Sequence, residues 1–220
     1  MKIGITQRVS TQFHGQPHDC LDSKWAGLLV ELGGVPVPLS NLDATKEQIW
    51  QYLDLLEIDA AILTGGNDIA GLGNVRGSVS SQERDFFEKN LVDWSRSQQK
   101  PLLGICRGFQ FLNIELGGKL SPIDGHSGCT HPLRKSDADL PAWLAHLPEE
   151  FTINSFHTYA ISPENLAPGF VAAAFDTENF VEAAFHESEP IGAIMWHPER
   201  EAFVDGPGRK AVQAFMREYR

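Results

Sequence analysis

A cysteine and a histidine, each at the end of an apolar run, are the residues best placed to do chemistry in this chain. Cys106 ends the run Pro101-Leu102-Leu103-Gly104-Ile105 and stands between Gly104 and Gly108. Gly-x-Cys-x-Gly between a buried strand and a helix makes a sharp turn that pushes the central side chain outward on strained backbone angles. A helix starting at Arg107 would hold its unpaired first-turn N–H groups beside the sulfur, and with the helix dipole these favour thiolate over thiol. Such surroundings bring a thiol from about 8.5 toward roughly 4 to 7. A lone cysteine would read as a small core residue, but the flanking glycines favour a nucleophile.

A nucleophile needs a base. The run Ile191-Gly192-Ala193-Ile194-Met195-Trp196 stops at His197, followed by Pro198 and Glu199. Proline disfavours the helical region for the residue before it, so His197 should be extended, and in extended chain residues two apart project to the same side. Glu199 can then accept from one ring nitrogen while the other faces the thiol. His-Pro-Glu alone is also what a solvated turn looks like; beside the cysteine elbow it supplies base and orienter.

A thioester-forming site must also hold a negative oxygen. The apolar run Ala60 to Leu63 ends in Thr64-Gly65-Gly66-Asn67-Asp68. Backbone N–H groups aimed at the oxyanion contribute roughly 3 kcal/mol each. The amides of Arg107 and Gly66 are the candidate donors, although a Gly-Gly strand end also arises for topological reasons alone. The Arg107 side chain could grip an anionic leaving group or pair with a surface carboxylate. His14, His18, His126, His131, His146 and His186 lie in polar or irregular stretches and read as surface residues. Without close Cys/His ligand spacing no structural zinc is expected, and no cofactor.

The elements that must position these groups alternate. Strand Lys2 to Thr6 leads to a helix capped near Asp22 with Trp25, Leu28, Leu29 and Leu32 inward, then strand Val35 to Leu39. Thr45-Lys46-Glu47-Gln48 has capping-box form and opens a helix carrying Ile49, Trp50, Leu53 and Leu56. A further helix from about Ser81 carries Phe86, Phe87, Asn90, Leu91 and Trp94 as core. Shorter β-like runs at Phe151 to Ile153, Val171 to Phe175 and Phe180 to Phe185 suggest an antiparallel extension, and Gly208 to Tyr219 a closing helix with Val212, Phe215 and Met216 inward. This alternation predicts an α/β fold: one domain over residues 1–220, a three-layer sandwich with a mostly parallel central sheet, helices on both faces and a small antiparallel extension. Its chemistry would sit at the carboxyl ends of the strands. The glycine-rich segment Gly71 to Gly77 is a lid candidate by composition.

A net charge of -11 argues against nucleic acid or an anionic membrane as partner. Three cysteines, one of them committed to catalysis, do not form a disulfide framework. The run Lys2 to Thr6 is too short for a signal-peptide core or a membrane span, so a cytoplasmic protein is expected.

The segment Leu103 to Leu120, with Cys-Arg-Gly-x-Gln-x-x-Asn followed by Gly-Gly, resembles the nucleophile segment of the class I glutamine amidotransferase superfamily, in its γ-glutamyl hydrolase, peptidase C26-like branch. Thr64 to Asp68, Asn154-Ser155-Phe156-His157 and Trp196 to Glu199 agree with it. The resemblance implies a cysteine hydrolase acting on a small γ-glutamyl amide, with Cys106, His197 and Glu199 at the triad positions and Gln110 helping to hold the glutamyl group. Asn154, Ser155, Phe156, His157 and Thr158 would shape the pocket; His157 either contacts substrate or pins a loop. In the branch that cleaves γ-glutamyl-γ-aminobutyrate, Asn-Ser-x-His continues with His and Gln, whereas here it continues Thr158-Tyr159. That departure, with Asp19-Cys20-Leu21-Asp22 and the short chain, also looks similar to the enzymes that remove glutamate from γ-glutamyl-CDP-amidate. A glutaminase subunit feeding ammonia to a synthetase partner and a catalytically silent binding or regulatory module are the competing readings. Leaving group and oligomeric state stay open, a homodimer included.

Overall fold

A computed structural model describes residues 1–12, 15–72, 80–203 and 205–220. His14 and most of the Gly71 to Gly77 lid candidate lie outside the described residues. The chain forms two compact units, residues 1–102 and 103–220.

The first unit holds β1 (Lys2–Thr6), β2 (Arg8–Ser10), β3 (His18–Cys20), α1 (Ser23–Glu31), β4 (Val35–Leu39), α2 (Lys46–Leu56), β5 (Ala60–Leu63) and α3 (Gln82–Ser97). β1 lies between β4 and β5 and is parallel to both. Parallel neighbours need crossovers, which α1 and α2 supply, and strands covered on both faces read as unbroken apolar runs. β5 is accordingly buried throughout. The helix starts are where cap chemistry puts them. Asp22 accepts from the Lys24 amide at 3.1 Å, Thr45 and Gln48 close a full capping box, and Ser81 accepts from the Arg84 amide at 3.2 Å.

Two features of this unit depart from the expectation. Phe86 is 47% exposed, and the inner face of α3 holds Arg84 and Glu88, an ion pair at 2.8 Å with both side chains fully buried. The periodicity is sound, but the stripe turns one position so that a salt bridge enters the core. Arg84 spends its remaining donors on the end of β5, reaching the carbonyls of Thr64 at 2.6 Å and of Gly65 and Gly66 at 3.1 Å each. The β2–β3 hairpin, three residues per strand, also went unread because its sequence is polar.

The second unit begins in β6 (Leu102–Ile105) and continues with α4 (Arg107–Glu115), β7 (Ser121–Pro122), β8 (Ser127–Lys135), α5 (Ala142–Ala145), β9 (Glu150–Phe156), β10 (Tyr159–Ala160), β11 (Phe170–Asp176), β12 (Val181–His186), β13 (Ile191–Ile194) and α6 (Pro207–Glu218). Its strands run β6-β13-β12-β11-β8-β9, with antiparallel pairing from β13 outward. The fold class is the expected α/β, parallel strands with helices continued by antiparallel ones. β8 spans nine residues and was not expected, since Pro132 and the polar residues around it hide its alternation. α6 turns Val212, Phe215 and Met216 inward, as its pattern requires. Among the described residues no helix is long and apolar enough to cross a membrane.

Candidate active site

Cys106 sits at the junction of β6 and α4 with φ 53° and ψ −108°, a conformation that favours glycine. The junction is this tight because α4 comes down directly on β6. A Cβ on Gly104 would lie 2.9 Å from the backbone carbonyl of Gly108 and 2.7 Å from Leu112. The Cys106 amide donates to the Ile194 carbonyl at 2.9 Å, tying the elbow to β13, the strand that leads to His197.

His197 is extended at φ −110° and ψ 94°, and the proline after it opens a short 3-10 turn that carries Glu199. His197 Nδ1 lies 2.7 Å from Glu199 Oε1, so the carboxylate fixes the ring with Nε2 available to the thiol. Nε2 has no nitrogen or oxygen partner among the described residues, and the ring interacts with the Cys106 sulfur. Both residues are buried, as is Cys106.

Burial alone would suppress charge on both partners of this pair, yet the opposite happens. For Cys106 the burial cost is outweighed by the His197 imidazolium, then His157 and the Arg107 amide, and the thiol is held below its ordinary value. For His197 burial is overcome by the Cys106 thiolate and the Glu199 carboxylate, which raise it to about 9. Each charge stabilises the other, so the pair favours thiolate and imidazolium.

Of the remaining sequence-predicted residues of this unit, Asn154 and Phe156 touch His197. The Asn154 side chain closes both backbone groups of His197, donating from Nδ2 to the carbonyl at 2.9 Å and accepting at Oδ1 from the amide at 2.8 Å. Its amide is thus spent on the His197 backbone. Gln110 is buried on α4 and donates to the Tyr159 carbonyl at 2.9 Å. The Phe156 ring stands edge-on to His197 at 5.4 Å, with the Arg200 guanidinium 4.5 Å from the centroid of the same ring. Ser155 is buried and donates to the His126 carbonyl, and the Thr158 carbonyl accepts from the Ile123 amide at 2.9 Å. Arg107 is not a surface residue. Its side chain is buried and lies 4.9 Å over the Phe111 ring, because the first turn of α4 points into the unit.

Gly66 belongs to the first unit. It has φ +89°, and since the Gly65 carbonyl faces Arg84, the Gly66 N–H of the same planar peptide points the opposite way.

One cluster was not legible. His126 is buried, not a surface residue, and with His131, the buried His157 and Glu182 it places four potential ligand atoms within 4.8 Å of one another. His157 feels burial first, then Glu182 beside it and Cys106, with a net upward shift; His126 is pushed down by burial and by the His157 and His131 rings. The absence of close ligand spacing along the chain did not exclude such a group, because strand pairing, not local spacing, assembles it.

The family model for peptidase C26 matches residues 2–199. The chain belongs to the peptidase C26 family. Among relatives of this peptidase C26 protein is γ-glutamyl-CDP-amidate hydrolase of Campylobacter jejuni subsp. jejuni serotype O:2, 35% identical over 205 residues and covering 91% of each chain. Protein NtpR of Enterococcus hirae is 26% identical over 234 residues, covering 96% of this chain and 95% of its own. In fold, the peptidase C26 chain is similar to a glutamine amidotransferase from Thermotoga maritima, with TM-score 0.66, 13% identity and coverage of 99% and 95%. Membership makes this a hydrolase-family protein, and a glutamine amidotransferase-like protein of Lactococcus lactis is 31% identical over 182 residues, covering 76% of this chain and 75% of its own.

Proposed function

We propose that this chain hydrolyses a γ-glutamyl amide through a thioester on Cys106, and that its substrate is of the γ-glutamyl-CDP-amidate class. The observation that carries the chemistry is the row Cys106, His197, Glu199, with its 2.7 Å carboxylate–imidazole bond. The substrate class is supported by the relative that is 35% identical over 91% of both chains, together with Thr158-Tyr159 where the aminobutyrate-type pattern would continue differently.

In the first step the Cys106 thiolate attacks the γ-carbonyl carbon, and the Arg107 amide donates to the oxyanion. The C–N bond breaks as His197 Nε2–H gives its proton to the departing nitrogen, leaving a γ-glutamyl thioester and neutral imidazole. Water then attacks the thioester carbonyl, and His197 takes its proton. Collapse expels the Cys106 thiolate and releases glutamate. Glu199 stays ionised and supports the imidazolium in both half-reactions.

Glutamate release from γ-glutamyl-CDP-amidate, γ-glutamyl-γ-aminobutyrate and glutamine by the isolated chain tests this reading. Preference for the CDP-amidate substrate is expected. Preference for free glutamine, raised by a copurifying protein, would replace it with the glutaminase-subunit reading, and no turnover with any of them would favour the silent module.

A further inference from the structure

No member of the buried cluster His126, His131, His157 and Glu182 takes a step in the proposed reaction, and several of its polar atoms are left without partners in a way that points to a ligand. His157 Nε2 and Glu182 Oε1 lie 3.2 Å apart, while His126 Nδ1, both ring nitrogens of His131 and Glu182 Oε2 are buried with no hydrogen-bond partner among the described residues. Unsatisfied buried polar atoms are costly, so their collection at one place calls for a use. The rings lie close and steeply inclined to one another, His126 4.7 Å from His131 and 5.0 Å from His157 by centroids.

We propose that these four residues bind one divalent first-row transition metal ion, through three imidazole nitrogens and one carboxylate oxygen.

Three further features fit a metal. First, the donor set is imidazole plus carboxylate, the mixture that suits zinc and its neighbours. Ligand atoms within 4.8 Å of one another need only side-chain rotation to reach the roughly 3.3 Å edge of a tetrahedron built on metal bonds of about 2.0–2.1 Å. Second, two of the nitrogens that would not bind metal face a polar group, that of His157 within hydrogen-bond distance. His157 Nδ1 lies 3.0 Å from the Tyr159 carbonyl, leaving Nε2 for the ion, and His126 Nε2 lies 3.6 Å from Asp176 Oδ2, leaving Nδ1. Backing of a ligating imidazole by a carbonyl or carboxylate is the usual outer-shell arrangement. Third, Glu182 falls where β12 bulges. Ala183 pairs with Ala174 and Val181 with Phe175, so Glu182 has no partner across on β11, and bulges re-aim side chains in this way.

The test is metal binding by the purified full chain, stripped with chelator and titrated with Zn²⁺, Co²⁺, Ni²⁺, Mn²⁺ and Fe²⁺. About one ion per chain is expected for at least one of them. Co²⁺ should give visible d–d bands without a sulfur-to-metal charge-transfer band, which separates this site from binding at Cys106. Glu182→Gln and His131→Ala should lose binding, and Asp176→Asn should weaken it about 10–100-fold by removing the charge behind His126. Circular dichroism of each variant checks folding, and Asp176→Asn keeps the Oδ1 atom that accepts from the Glu178 and Phe180 amides. No stoichiometric binding of any of the five ions, a sulfur charge-transfer band, or binding undiminished in all three folded variants would overturn the proposal.

Discussion

Asn154 holds His197 by the backbone: its side-chain amide donates to the His197 carbonyl and accepts from the His197 amide, at 2.9 and 2.8 Å. A single side chain on β9 thereby sets the segment after β13 from which the ring projects. Asn154→Ala leaves two buried backbone groups unpaired, at about 1–3 kcal/mol. It should also lower kcat roughly 10–100-fold with little change in KM, since misplacing a base by about 1 Å has that scale of effect. Steady-state kinetics beside thermal melts separate the two effects. A variant that melts earlier at unchanged kcat would remove Asn154 from the positioning role.

The Cys106 backbone, at φ 53° and ψ −108°, stores strain that only glycine escapes. Cys106→Ala should abolish turnover without relieving the strain. Cys106→Gly should abolish it too, yet fold at least as stably as the parent, by about 1 kcal/mol once the greater chain entropy of glycine offsets part of the relief. Chemical denaturation of the three proteins gives the order directly, and Cys106→Gly ranking below Cys106→Ala would contradict a strained elbow.

The thiolate–imidazolium pair predicts a bell in kcat/KM against pH. Its acid limb falls below the usual thiol range because Cys106 is shifted down, and its alkaline limb lies near 9, where His197 gives up its proton. The two limbs belong to the pair jointly. The sign for stability follows from His197, whose folded value of about 9 stands above the ordinary 6.5: its contribution is complete below 6.5 and is lost as pH rises through about 9. Glu199→Gln removes one of the two supports and should draw the alkaline limb downward. An unmoved limb would mean that the carboxylate does not support the imidazolium.

In the first unit, Arg84 is paired with Glu88 at 2.8 Å and takes the carbonyls of Thr64, Gly65 and Gly66. Removing one member of a buried pair strands the other, at about 3–5 kcal/mol. Arg84→Met should show that loss in urea denaturation, and Arg84→Met with Glu88→Leu should regain much of it. If the double variant is no better than the single, the carbonyl contacts and not the stranded carboxylate carry the cost.

What could be read from the sequence was local. The elbow at Cys106, the extended His197 before Pro198 and the caps at Asp22, Thr45 and Ser81 each depend on a few adjacent residues, and each forms as its residues require. What could not be read depends on pairing between distant segments. Asn154 meets His197 across 43 positions, and Glu182 meets His157 at 3.2 Å only because β9 and β12 belong to one set of strands. β8 escaped notice because Pro132 and charged neighbours break its alternation, and Phe86 was taken for core because an aromatic weighs more in a helical stripe than the Arg84 and Glu88 that in fact occupy it.

The most direct test of the thioester is intact-protein mass spectrometry of the chain quenched in acid during turnover of a γ-glutamyl substrate. One glutamyl group on Cys106 is expected in the parent and none in Cys106→Ala. Glutamate release by Cys106→Ala, or turnover in the parent with an adduct on another residue, would contradict it.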